Sequence, residues 1–228
     1  MRLHPSFQTK RAFTMVEIAI CLAVIGFALV AIIGILPLGL QVQKDNREDT
    51  IINQDGNFFM ETIRSGARGI DELVDSVTNL VLVRLDGTEE LVPPAQYATS
   101  SNIIGLLSTP QPWVRRVEAD VRAISGSAVE KGPGNQNIGF EYRLTSEVTP
   151  FSSYTVATAL HTNLATNMQA NLHEVRLTFR WPLGDQVLAN KRRQVLGNNR
   201  KVFRDLISGQ LWSNNHEYFF LPNRFQTQ

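Results

Sequence analysis

The sequence predicts an α+β fold. One long N-terminal helix, membrane-embedded in its first half, packs by its second half on an antiparallel β-sheet. Three observations predict this. Ile18 to Leu40 carries no charged side chain. Apolar residues then recur at helical spacing as far as Ile63. Beyond Gly66 the pattern changes to alternation with period two, punctuated by Gly, Pro and Asn.

The membrane half comes first. At 1.5 Å per residue the uncharged run is about 34 Å long, enough to cross a hydrocarbon core. It holds Cys21, three glycines and Pro37 and is otherwise aliphatic or aromatic. Ala19, Ala23, Gly26 and Gly34 fall on one stripe, where small residues let neighbouring helices approach closely. Ala and Gly are also common in such helices without that role. Pro37 cannot donate to Ile33 and predicts a kink. A secretory signal peptide is the competing reading, but its apolar core is shorter and ends at a small-residue cleavage site, which Gly34 to Gly39 does not offer.

The flanks set an orientation. Arg2, Lys10 and Arg11 precede the run without an acid, whereas Lys44 and Arg47 follow it among Asp45, Glu48 and Asp49. The basic bias predicts a single pass with the N-terminus in the cytoplasm and the C-terminal part across the membrane.

Past Leu40 the helical pattern continues. Ile52, Gly56, Phe59 and Ile63 share a face, with Asp45, Glu48, Asp49 and Asn53 largely elsewhere. Gly66 after Ser65 supplies a stop. The organisation expected is a leader over 1–12, a membrane half over 13–40, an amphipathic half over 41–66 and a globular α+β domain over 67–228.

Strands dominate that domain. Leu80 to Leu85, an Asp86-Gly87 turn and Glu90 to Val92 read as a hairpin closed by Pro93-Pro94. Asn102 to Leu107 reads as a short helix stopped by Pro110 and Pro112. Val117, Ala119, Val121 and Ala123 alternate with Glu118, Asp120 and Arg122, a half-buried strand with its polar residues outward. Lys131 to Asn135 is a loop, Phe140 to Leu144 a strand, and Tyr154 to Ala159 a weaker one. Val175 to Trp181 is the strongest strand, ended by Pro182. Gln194 to Leu196, a Gly197-Asn198-Asn199 turn and Lys201 to Arg204 read as a last hairpin. One buried face per strand and a helix to cover it is the α+β layer solution.

Glu17 is the unusual residue, the only charge between Phe13 and Leu40. A carboxylate in the apolar zone costs on the order of 1–3 kcal/mol unless paired. A capping box with Thr14, three residues earlier, would supply it with donors. The surrounding order is more specific: Lys10-Arg11, then Ala12, then Phe13, then Glu17 four residues on, then the apolar run. This segment resembles the N-terminal processing and methylation segment of type IV pilins and type II secretion pseudopilins. Ala12 stands where that family usually has Gly.

The resemblance covers about forty residues. It implies a pilin-like fold, cleavage between Ala12 and Phe13 by a prepilin peptidase, and methylation of the Phe13 amine. It also implies pairing of Glu17 with the Phe13 ammonium of a neighbouring subunit. Capping and pairing are compatible, one in the lone subunit and one in the assembly. The implied partners are the peptidase, other pilin or pseudopilin subunits, an inner-membrane assembly platform driven by an ATPase, and membrane lipid. The implied location is the inner membrane with a periplasmic domain. Ala19, Ala23 and Gly26 become candidate packing positions, and Gly26 and Pro37 a candidate pair bounding chain that is extended in filaments. The strand ending in Trp181-Pro182 is similar to a late strand of pseudopilin domains.

No enzyme, cofactor or metal reading emerges. His4, His161, His173 and His216 form no H-E-x-x-H motif, and His173 beside Glu174 reads as a surface residue. There is no G-x-S-x-G, P-loop or dinucleotide fingerprint; Gly132-Pro133-Gly134 is a turn. Asp185 and Asp205 are isolated, so no calcium loop is carried over. With Cys21 as the single cysteine, no intrachain disulfide forms. Past Leu40 the chain has 19 basic and 20 acidic residues. That near-balance argues against nucleic acid as a partner. Lys191, Arg192, Arg193, Arg200, Lys201 and Arg204 crowd one span, which reads either as a patch for DNA or an acidic partner or, the favoured reading, as the solvated side of a hairpin protecting a sheet edge. A membrane-tethered binding module is the alternative to an assembling subunit; a tethered enzyme lacks a motif.

Overall fold

The computed structural model describes residues 13–66, 73–108, 113–125, 140–151, 162–188, 191–214 and 217–226. Ala12, the loop expected at 131–135, the strand expected at 154–159, and His4, His161 and His216 lie outside them. The chain forms two compact units, divided between Arg47 and Glu48. Helix α1 runs Met15–Ser65, with Pro37 inside it and the backbone helical from Gly26 to Pro37. Extended chain between those two positions is therefore not a property of this structure. In the first unit every described large apolar side chain from Phe13 to Val42 is exposed. One helix is long and apolar enough to cross a membrane.

The second unit is an α+β body. Helix α2 (Leu73–Ser76) leads into β1 (Val77–Arg84), β2 (Glu89–Leu91), a 3₁₀ turn (Pro94–Tyr97), α3 (Ser100–Leu107) and β3 (Val114–Arg122). Then come β4 (Glu141–Pro150), α4 (Thr162–Asn171), β5 (Leu172–Leu188), β6 (Lys191–Ser208), β7 (Gln210–Asn214) and β8 (Glu217–Leu221). Six strands form one antiparallel sheet in the order β2-β1-β3-β4-β5-β6, and β7 and β8 form a separate hairpin.

The expected first hairpin is present. Asp86 caps its turn by accepting from the Thr88 N–H at 2.9 Å, and Gly87 takes φ +84°. Alternation holds on β3 and β4, where Val117, Ala119, Val121, Tyr142 and Leu144 are buried. Helix α3 starts where the Thr99 side chain accepts from Asn102 N–H, an N-cap. Ser146 Oγ donates to Leu107 O at 2.6 Å, tying α3 to β4.

Two expectations are corrected. Pro182 does not end its strand: β5 continues to Leu188, and the ladder slips between Trp181 and Leu183. Gly197-Asn198-Asn199 is not a turn. It lies inside β6, opposite that slip, because the β5–β6 ladder already closes where Leu188 pairs with Lys191. Gly197 is small because the β5 backbone approaches it: a Cβ there would strike the Trp181 carbonyl oxygen and come within 2.5 Å of Pro182 Cδ. A bulge absorbs the missing proline donor, and the strand survives it.

Within the second unit α1 lies on the sheet. Ile51, Ile52, Phe59 and Ile63 are buried. Phe59 meets Phe179 with ring centroids 6.3 Å apart, and Phe179 also meets Tyr142 and Phe203 at 5.3 and 5.4 Å. Fully burying an aromatic of this kind contributes about 2–3 kcal/mol. Gly56 lets the helix close on β6: a Cβ there would overlap the Phe203 ring. The helix ends as expected, at Gly66 with φ +63°, whose N–H reaches Ile63 O at 3.2 Å.

Candidate assembly segment

Phe13 and Glu17 sit at the start of the exposed apolar helix. The capping box is formed. Glu17 Oε2 accepts from the Thr14 N–H and from Thr14 Oγ1, both at 2.9 Å, and Thr14 Oγ1 accepts from Glu17 N–H at 3.3 Å. The reciprocal pair satisfies the helix start and the carboxylate together. Phe13 is 82% exposed. Ala19, Ala23 and Gly26 follow at helical spacing on exposed helix, and around Gly26 and Gly34 nothing lies within 4 Å of a built Cβ.

A surface of unbroken aliphatic side chains is far larger than the apolar patches soluble monomers expose. By length and composition this helix is a candidate membrane span. Glu17 is the one acidic or basic side chain from Phe13 to Leu40, and among the described residues its donors come from Thr14.

Among the described residues Glu48, Asp55 and Asp120 are buried acids, and the role of Asp55 was not anticipated from the sequence. Asp55, on the same α1 face as Ile52 and Phe59, is fully buried. Its Oδ2 accepts from Tyr142 Oη at 2.8 Å and from Ile124 N–H at 3.0 Å, and its Oδ1 accepts from Ser125 N–H at 2.9 Å. Burial first, and then the Asp55 carboxylate, push the Tyr142 phenol well above its ordinary range. The signal in the sequence was the acid itself, set into an apolar stripe at i+3 from Ile52 and i−4 from Phe59.

The sheet's polar face also departs from expectation. Asp120 is 2% exposed rather than solvated. Arg143 covers it with two hydrogen bonds of 2.7 and 3.1 Å, and donates a further bond to Gln194 at 3.1 Å. His173 is buried too, edge-on to Phe220 with centroids 5.4 Å apart. It is a core histidine, because β8 covers it. Burial lowers its pKa, and its Nδ1 finds no hydrogen-bond partner.

Among the described residues no three His, Cys, Asp or Glu side chains gather as a metal site would require. The basic span is partly neutralised: Lys201 pairs with Asp49 at 2.8 Å, and Arg204 pairs with Glu174. No family model matches the sequence, and no curated protein and no solved structure matches it either.

Proposed function

We propose that the chain is a structural, pilin-like subunit, a minor pseudopilin or pilin, that assembles through α1 after removal of residues 1–12. Its location is the inner membrane and its second unit stands on the periplasmic side. Assembly brings membrane helices together along Ala19, Ala23 and Gly26, and Glu17 meets the Phe13 ammonium of a neighbour. The reading rests on one observation: a carboxylate in an exposed apolar helix, held among the described residues by Thr14, four residues past a Phe that follows Lys10-Arg11-Ala12. A cation at the same depth adds a full Coulombic attraction that neutral donors lack, and it grows as the surroundings become less polar. The partners are a prepilin peptidase, other subunits, an assembly platform with its ATPase, and lipid.

The purified mature protein is expected to begin at Phe13 by N-terminal sequencing. Glu17→Gln is expected to spare insertion and to cut crosslinking between subunits at least tenfold, about 1.4 kcal/mol. Retention of Met1 in the presence of the peptidase, or unchanged crosslinking, would remove the assembly reading. A second reading has its own support. The capping box satisfies Glu17 without any neighbour, so a tethered binding module is the outcome if Glu17→Gln changes nothing but helix stability.

A further inference from the structure

The free edge of β6 carries a charge pattern that the assembly reading does not use. Nothing pairs with β6 beyond β5 among the described residues. Arg200, Val202, Arg204 and Leu206 follow one another at period two and are all exposed, Val202 at 40% and Leu206 at 51%. Arg200 is the register partner of Arg180, and both are exposed. Like charges directly opposite each other in a sheet destabilise it. Elsewhere on this polar face cations are matched: Arg143 with Asp120, Arg176 with Glu147, Arg122 with Glu141. Arg180 and Arg200 have no acidic partner among the described residues.

We propose that the β6 edge between Asn199 and Ser208 docks an extended acidic segment of a different protein. That segment adds as a seventh strand, with its carboxylates beside Arg180 and Arg200 and its apolar residues on Val202 and Leu206. The Leu206 N–H donates to Asp205 Oδ1 at 2.9 Å, so an added strand pairs with the other outward backbone groups of the edge or displaces that bond, and alternate side chains supply the specificity. A second copy pairing β6 with β6 brings no carboxylate to Arg180 and Arg200, because the face that carries Arg200 holds only Arg200, Val202, Arg204, Leu206 and Ser208 along this edge. Nucleic acid would use the charges and leave the backbone edge and the two aliphatic side chains without partners. The inference is independent of how the chain is anchored or processed.

The test uses the full chain in neutral detergent micelles. The probe is a fluorescent peptide of roughly nine residues, about 30 Å when extended, alternating threonine with glutamate and valine in turn. Saturable binding that weakens with salt is expected, together with slowed amide exchange in β6. Two N-methylated versions of the peptide, blocked on alternate residues in opposite phases, separate strand pairing from charge. One phase is expected to lose binding and the other to keep it. Arg180→Glu with Arg200→Glu is expected to weaken binding at least tenfold, and Val202→Thr with Leu206→Thr to weaken it less. No binding, equal binding of both N-methylated peptides, tighter binding of a short DNA duplex, or self-association that the peptide does not displace would each overturn the proposal.

Discussion

Asp55 on α1 and Tyr142 on β4 share a hydrogen bond of 2.8 Å inside the second unit, and the same carboxylate holds the chain just past β3 through Ile124 and Ser125. The acid has three donors and is fully buried, so it acts as a pin between the helix and two strands. Asp55→Asn turns one acceptor into a donor facing N–H groups. The expected loss is about 3 kcal/mol in urea unfolding of the detergent-solubilised chain. Tyr142→Phe leaves both backbone bonds and is expected to cost about 1–2 kcal/mol. An Asp55→Asn variant as stable as the parent would show that the pin contributes nothing.

The raised Tyr142 pKa makes a separate prediction. The neutral phenol is favoured in the fold, so stability is lost as pH rises above the unfolded value near 10. In an absorbance titration, Tyr142 is expected to ionise only as the fold opens. Tyr142→Phe is expected to remove that late step and to move the alkaline unfolding midpoint upward relative to its own stability at pH 8.

His173 shifts in the opposite pH direction. Its folded pKa lies below its unfolded value, so the unfolded chain takes up the proton first as pH falls. Stability is expected to decline from about pH 6.5 downward until the folded pKa is reached. His173→Leu also removes the unpartnered Nδ1, and its thermal midpoint is expected to be flatter with pH below 6.5 than the parent's. Parallel pH curves would assign the acid sensitivity to other groups.

Gly56 and Phe203 form a steric pair. In the parent, Gly56→Ala is expected to destabilise by about 1 kcal/mol, because overlap with the ring outweighs the gain of roughly 1 kcal/mol in helix propensity. In a Phe203→Leu background the same change is expected to stabilise. A cycle of the four proteins by thermal unfolding reads that reversal of sign; additivity would show that the ring moves aside freely.

Gly197 and Gly184 flank the slip in the β5–β6 ladder but differ in surroundings. A Cβ on Gly197 meets the Trp181 carbonyl and Pro182, whereas nothing lies within 4 Å of one on Gly184. Gly197→Ala is expected to cost about 2–4 kcal/mol and Gly184→Ala less than about 0.5 kcal/mol. Equal effects would mean that the close approach is not retained in solution.

The long helix, its glycine stop, the first hairpin and the half-buried strands were legible because each depends on local pattern. Periodicity placed Ile52, Phe59, Val117 and Tyr142 in the core, and Gly66 and Asp86-Gly87 marked the turns. The bulge at Pro182 was not legible: a proline and a Gly-Asn-Asn triplet normally end strands, and only their meeting across the ladder lets both strands continue. The β7–β8 hairpin lacks alternation in Tyr218-Phe219-Phe220, and α4 has no apolar stripe to announce it. The buried state of Asp120 and His173 depended on what covered them, Arg143 from the next strand and Phe220 from a distant one. Thr14 and Glu17 were legible as a cap, whereas Asp55, set in the apolar stripe between Ile52 and Phe59, has its donors on residues far along the chain that no local pattern brings to it.

The division between Arg47 and Glu48 falls within continuous helix, not in a linker. Proteolysis that removes the apolar helix and leaves the α+β body whole is therefore expected to cut before Glu48. A cut a few residues later would strip Ile51 and Ile52 from the hydrophobic interior, and the freed fragment would lose its keel.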